Sequence, residues 1–195
     1  MWRAAAKAGL PVLIHVADPV AFFAPLDATN ERLEELLENP SWSYAHLGRA
    51  HYDRLIDALE RLAAANPDTV FIGAHVAGAA EDLDRVEHVL EACPNLHVDI
   101  AARVAELGRQ PRRARELVLR HPERVLFGTD LTPSDWEEYA ITFRFLETAD
   151  EHFAYSRSEP PPQGRWRVSG LELPDEVLEL VYAGNALRLI HGLAG

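Results

Sequence analysis

Four short apolar runs, each ending on a histidine or an aspartate, constrain this chain more than any other feature. They are Pro11–Val16 (PVLIHV), Thr69–Val76 (TVFIGAHV), Leu96–Ile100 (LHVDI) and Val125–Phe127 (VLF, leading into GTD). Each is continuous rather than alternating, which suits strands buried on both faces of a parallel sheet. Between them lie helical patterns. Tyr52–Ala65 places Leu55, Ile56, Leu59 and Leu62 on one face and stops at Asn66-Pro67. Glu81–Ala92 stops before Cys93-Pro94, and Pro111–Arg120 opens with proline at a suitable first helical position. Trp136–Thr148 follows a Ser134/Asp135 cap candidate, and Leu178–Ile190 reads as a closing helix interrupted near Gly184-Asn185. Strand and helix therefore alternate four times, which predicts an α/β domain. Two segments exceed this minimal pattern: an insertion, Phe22–Gly48, with a short amphipathic piece at Glu31–Glu38, and a Pro/Ser/Gly/Arg-rich loop, Tyr155–Gly170.

Composition removes several function classes. With 31 acidic and 19 basic residues the net charge is −12, a field that repels nucleic acid and anionic membrane. No run of 18 apolar residues offers a membrane span. The opening MWRAAAKAGLPVLIH lacks a signal-peptide profile, because Arg3, Lys7 and Gly9 interrupt it. Cys93 is the single cysteine, so no internal disulfide forms and a cytoplasmic location is the expectation. A length of 195 residues fits one domain, 1–195.

The chemistry collects at the ends of the four runs, where parallel α/β folds build their sites. His15 closes PVLIH, His75 closes FIGAH, Asp99 closes LHVD and Asp130 closes VLFGTD. Two imidazoles and a carboxylate suit a borderline divalent cation such as zinc with a position left for water. Such an ion lowers the pKa of its water toward ~7, and a neighbouring carboxylate or imidazole can move the proton. The alternative for each aspartate is a turn or helix-cap role, for Asp130 ahead of Thr132-Pro133-Ser134 in particular. His97 and Asp99 alternate onto the same side of their strand. A nucleotide-binding α/β domain is disfavoured, since the first run is followed by Asp18-Pro19 rather than a Gly-rich turn.

These four motifs, in this order, resemble the amidohydrolase-related family of metal-dependent TIM-barrel hydrolases, which also includes related decarboxylases. PVLIHVADP resembles the family's fifth barrel strand, TVFIGAHVAG the sixth, PNLHVDIAA the seventh and RVLFGTDLTP the eighth; VYAGNALRLI is similar to the closing helix. The resemblance covers about Gly9 to Leu193. It implies a partial TIM barrel of four βα units, the C-terminal half, with a C-terminal helical extension. It makes His15 a metal ligand and Asp130 a ligand and general base. His75 becomes either a second ligand or the imidazole that polarises substrate or water. The resemblance gives Asp99 no firm role: it either orders its loop or contacts substrate, and Arg103 is a candidate for facing a substrate carboxylate. Tyr44 and His46 sit in the insertion and His51 just past its end, and in that layout the insertion lies above the barrel mouth.

One departure matters. The family's first-strand His-x-His pair occurs nowhere in this sequence, and ~250 residues is typical of a complete (β/α)₈ barrel. The expectation is a chain lacking its N-terminal half, whose four strands leave apolar faces and two edges open. Two such halves can pair as a homodimer. The functional expectation is a hydrolase of C–N or C–O bonds in a small molecule acting through metal-activated water. A non-oxidative decarboxylase and a non-catalytic half-barrel are the alternatives.

Overall fold

A computed structural model describes residues 1–132 and 135–190. Its centre is one parallel sheet of four strands in the order β1-β2-β3-β4: Val12–Ile14, Phe71–Gly73, Leu96–Asp99 and Val125–Leu126. The register pairs Ile14 with Gly73, Gly73 with Val98, and Asp99 with Leu126, so the four C-terminal ends lie in one row. This is the four-unit parallel α/β sheet expected from the alternation.

Helix α1, Trp2–Lys7, precedes β1 and sets Trp2 edge-on against Phe71, with ring centroids 5.8 Å apart. The insertion after β1 contains a 3₁₀ turn at Val20–Phe23, helix α2 (Leu33–Glu38) and a second 3₁₀ turn at Pro40–Trp42. The long helix α3, Arg49–Ala65, returns to β2. Strand β2 is shorter than the apolar run suggests, because the chain leaves extended geometry at Ala74 and winds into a single turn, α4 (Ala74–Ala77). Helix α5 (Leu83–Ala92) follows, its N-terminus capped by Asp82, whose carboxylate accepts the Arg85 N–H. After β3 come the short α6 (Val104–Leu107) and α7 (Pro111–Arg120). Beyond β4, α8 spans Trp136–Glu147; Asp135 occupies its N-cap position without a side-chain capping bond, and Ser134 lies outside the described residues. The closing segment is α9 (Asp175–Glu179), a π-turn at Leu180–Gly184 and α10 (Asn185–Leu189).

The core sits on the helical side of the sheet. Phe71, Leu96, Val98 and Val125 pack with Leu59 of α3, Val86 and Leu90 of α5, and Leu117 of α7 in one apolar cluster. Pleating sends the intervening residues, Leu13, Ile72, His97 and Leu126, to the other face. Ile72 and Leu126 are buried yet stand outside that cluster, and Leu13, on the β1 edge, is 66% exposed. Among the described residues no helix is long and apolar enough to cross a membrane.

Candidate active site

The parallel register delivers His15, His75, Asp99 and Asp130 to one rim of the sheet, as their positions at the strand ends require. His15 follows β1 directly with a half-exposed ring, its Nε2 3.6 Å from Asp18 Oδ1. Its neighbour is His75: the two rings meet edge-to-face, 5.0 Å between centroids at 80°. His75 is buried and held by both backbone and ring. Its N–H donates to Asp99 Oδ1 at 2.8 Å, and its Nδ1 lies 2.8 Å from the carbonyl oxygen of Ala101. A carbonyl only accepts, so Nδ1 carries the proton and the Nε2 lone pair is left available.

That arrangement is built on an unusual backbone. His75, Val76 and Ala77 have φ of 58°, 56° and 57°, and Gly78 has 73°. For L-residues each such position costs about 1–2 kcal/mol, so three in succession store about 3–6 kcal/mol. The sequence offers one signal for this turn, the small residues Ala77-Gly78 that follow the histidine.

Asp130 is also left-handed, with φ 62°, and is exposed at the end of the β4 segment. It lines a cleft of about 380 Å³ with Ala102, Gly128, Thr129, Glu138, Thr142, Tyr155, Ser156 and Gln163. The Tyr155–Gly170 segment thus forms a wall of the cleft, with Gln163 Nε2 donating to Ala102 O at 3.3 Å. Arg103 is not among the lining residues. It is 6% exposed, and one guanidinium nitrogen donates to the carbonyl of Ala102 at 2.7 Å.

Beyond the strand ends lies a buried ionic group. Arg32 of the insertion pairs with Glu35 at 2.6 Å and with Glu106 of α6; Arg32 and Glu106 are fully enclosed. Burial raises the Glu35 carboxyl above its ordinary value against the opposing charge of Arg32. Burial also raises Glu81, helped by the charge of Glu106, while Glu81 Oε1 accepts the Val20 N–H at 3.2 Å. This group fastens the insertion to the β3–α6 connection. The exposed Arg165–Glu34 pair, at 2.7 Å, links the insertion to the Tyr155–Gly170 segment.

The donor types fit a borderline divalent cation in part. His15 and His75 are adjacent, and the Ala101 carbonyl fixes the His75 tautomer as outer partners of metal-bound imidazoles do. Asp130 stands apart: two strand spacings of ~4.8 Å separate β2 from β4, or roughly 10 Å. Among the described residues, the group of three ligating side chains whose donor atoms lie within 4.8 Å of one another is Glu87, Glu91 and His121. That cluster sits on α5 and at the end of α7, toward helix C-termini and hence at the rim opposite the strand ends. The i,i+4 pair Glu87/Glu91 is its visible sequence signal. Glu87, however, already accepts Arg113 at 2.6 Å and Arg120 at 3.0 Å; these bonds, against the effect of burial, hold its carboxyl below the usual value. Two guanidiniums already engage the Glu87 carboxylate that a cation would need.

A sequence profile described as amidohydrolase matches residues 1–191. The chain belongs to the amidohydrolase family. Among solved structures, an uncharacterised TIM-barrel protein from Bordetella bronchiseptica is similar at 15% identity and a TM-score of 0.48, covering 96% of this chain and 48% of that one. An amidohydrolase from Burkholderia multivorans, solved with bound HEPES, is similar at 14% identity and a TM-score of 0.40, covering 70% of this chain and 49% of that one. The chain therefore spans about half the length of these structures. No curated protein matches.

Proposed function

We propose that this chain carries strand-end groups of a metal-dependent hydrolase that cleaves C–N or C–O bonds in a small organic molecule. Membership of the amidohydrolase family supports the reaction class. The observation that carries the reading is His75, whose proton is committed to Ala101 O and whose Nε2 is left free beside the His15 ring. His15 and His75 are the residues that would hold the ion, while Asp130, which stands apart from them beyond β4, is left for proton transfer. When bound, zinc or a similar divalent cation supplies Lewis acidity and lowers the pKa of water toward ~7.

The remaining steps belong to the protein. Asp130, at the exposed edge of the cleft, accepts a proton from the attacking water and returns it to the leaving amine or alcohol. The cleft receives the substrate; about 380 Å³ suits a small molecule. Among the described residues its lining contains Asp130 and Glu138 and no lysine, arginine or histidine. A carboxylated substrate would meet two like charges there, and Arg103, the cation expected to receive it, is turned to the Ala102 carbonyl instead. This favours hydrolysis of an uncharged amide, ester or lactone over decarboxylation of an aromatic acid.

The test is turnover by the purified chain supplied with zinc, on neutral lactones and amides in parallel with aromatic carboxylic acids. Hydrolysis of a neutral substrate, lost in Asp130→Asn, is expected. Carbon dioxide release without hydrolysis, or hydrolysis that survives Asp130→Asn, would overturn the reading.

A further inference from the structure

We propose that Asp99 is a positioning residue, whose carboxylate holds the left-handed turn His75–Gly78 and thereby fixes the ring and tautomer of His75. Asp99 Oδ1 accepts two backbone N–H groups, from His75 at 2.8 Å and from Ala101 at 3.1 Å. The carbonyl of that same Ala101 receives His75 Nδ1–H at 2.8 Å. One oxygen thus sets the peptide on which His75 sits and the segment that reads the His75 ring.

The turn needs such an anchor. Its internal bonds, Gly78 N–H to the carbonyls of Ala74 (3.1 Å) and His75 (3.0 Å), close the loop without reaching the His75 N–H. Three successive L-residues at φ near 57° relax toward ordinary geometry unless the surroundings hold them. The far end is held separately: the Tyr52 hydroxyl donates to Gly78 O at 2.9 Å, and Gly78 lies against Ala17, two residues beyond His15. Asp99 itself is buried, with Gly128 alongside; a Cβ there would lie 3.6 Å from the Asp99 Cβ and 3.2 Å from the Ala101 Cβ. With Oδ1 committed to two backbone donors, this carboxylate acts through His75.

The role of His75 in hydrolysis rests on the function proposed above, but the positioning is read without metal. Long-range ¹H–¹⁵N spectra of the metal-free chain are expected to show His75 as a single Nδ1–H tautomer, with its amide proton slow to exchange. Asp99→Ala is expected to give mixed tautomers in a chain that stays folded by circular dichroism. Asp99→Asn, which keeps the accepting oxygen, is expected to restore the wild-type pattern. An unchanged tautomer in folded Asp99→Ala would overturn the proposal, as would Asn behaving like Ala. If Asp99→Ala does not fold, fast exchange of the His75 amide in the wild-type chain overturns it on its own, and slow exchange supports it. Zinc affinity is a separate arm: it should fall about 10- to 100-fold in Asp99→Ala and recover in Asp99→Asn. A wild-type chain that binds no zinc yet shows the tautomer pattern would defeat the hydrolase reading and leave the role of Asp99 standing.

Discussion

Removing the Glu106 carboxylate exposes how the insertion is held above the sheet. In the native chain the Arg32 side chain is 1% exposed and that of Glu106 0%, so Glu106→Ala leaves a guanidinium enclosed with one partner fewer. Breaking a buried pair by deleting one member costs about 3–5 kcal/mol. Glu35 remains on Arg32 at 2.6 Å and is itself 13% exposed, which places the expected loss at the lower end, about 3 kcal/mol. For a chain of this length each kcal/mol moves the melting temperature by about 2–4 °C, giving a drop of about 6–12 °C. Urea unfolding with matched slopes is the assay, since an altered slope would signal a changed unfolded state instead. Asp53→Ala serves as control: its pair with Arg49 is 61% and 52% exposed, and a loss under about 1 kcal/mol is expected. The double replacement Arg32→Met/Glu106→Leu should regain most of the stability, because no unpaired charge remains. A loss below about 1 kcal/mol for Glu106→Ala would refute the reasoning.

Burial, reinforced by Arg124 and Arg188, pushes the His97 imidazole from 6.5 down to about 4, so the unfolded chain binds a proton that the folded chain refuses between those values. Stability should therefore fall by about 3 kcal/mol as pH drops from 6.5 to 4, and His97→Gln should flatten that part of the curve in urea titrations; an equally steep curve in the variant would contradict it. Gly78→Ala places a Cβ 3.0 Å from Ala17 O at a φ of 73° and should cost about 1–3 kcal/mol, seen as a lower melting temperature; an unchanged melt would contradict the close packing of the two histidine-bearing segments.

The sheet was legible because burial on both faces leaves a continuous apolar run, and each of the four runs contains one strand of the observed sheet. Pro111–Arg120 emerges with those bounds because proline fixes one end and the pattern is strongly amphipathic. Two elements escaped for reasons of their own. Trp2–Lys7 is too short for periodicity and is secured by tertiary contacts, including the Thr69 hydroxyl donating to Trp2 O at 3.2 Å. The early end of β2 could not be read, since the left-handed turn at His75 is imposed by Asp99 and Tyr52 from elsewhere in the chain. At the site, strand-end position correctly placed His15, His75, Asp99 and Asp130 along one rim. It left open whether Asp99 orders its loop or meets substrate, and it did not reveal that Arg103 would be enclosed, because both depend on what packs above the rim.

Calorimetric titration of zinc into the chain, with His15→Ala, His75→Ala and Glu87→Ala alongside, tests the central claim most directly. Saturable binding is expected from the wild-type chain and from Glu87→Ala, and none from either histidine variant. Binding that survives in both histidine variants and disappears in Glu87→Ala would place the cation at the opposite rim and contradict it.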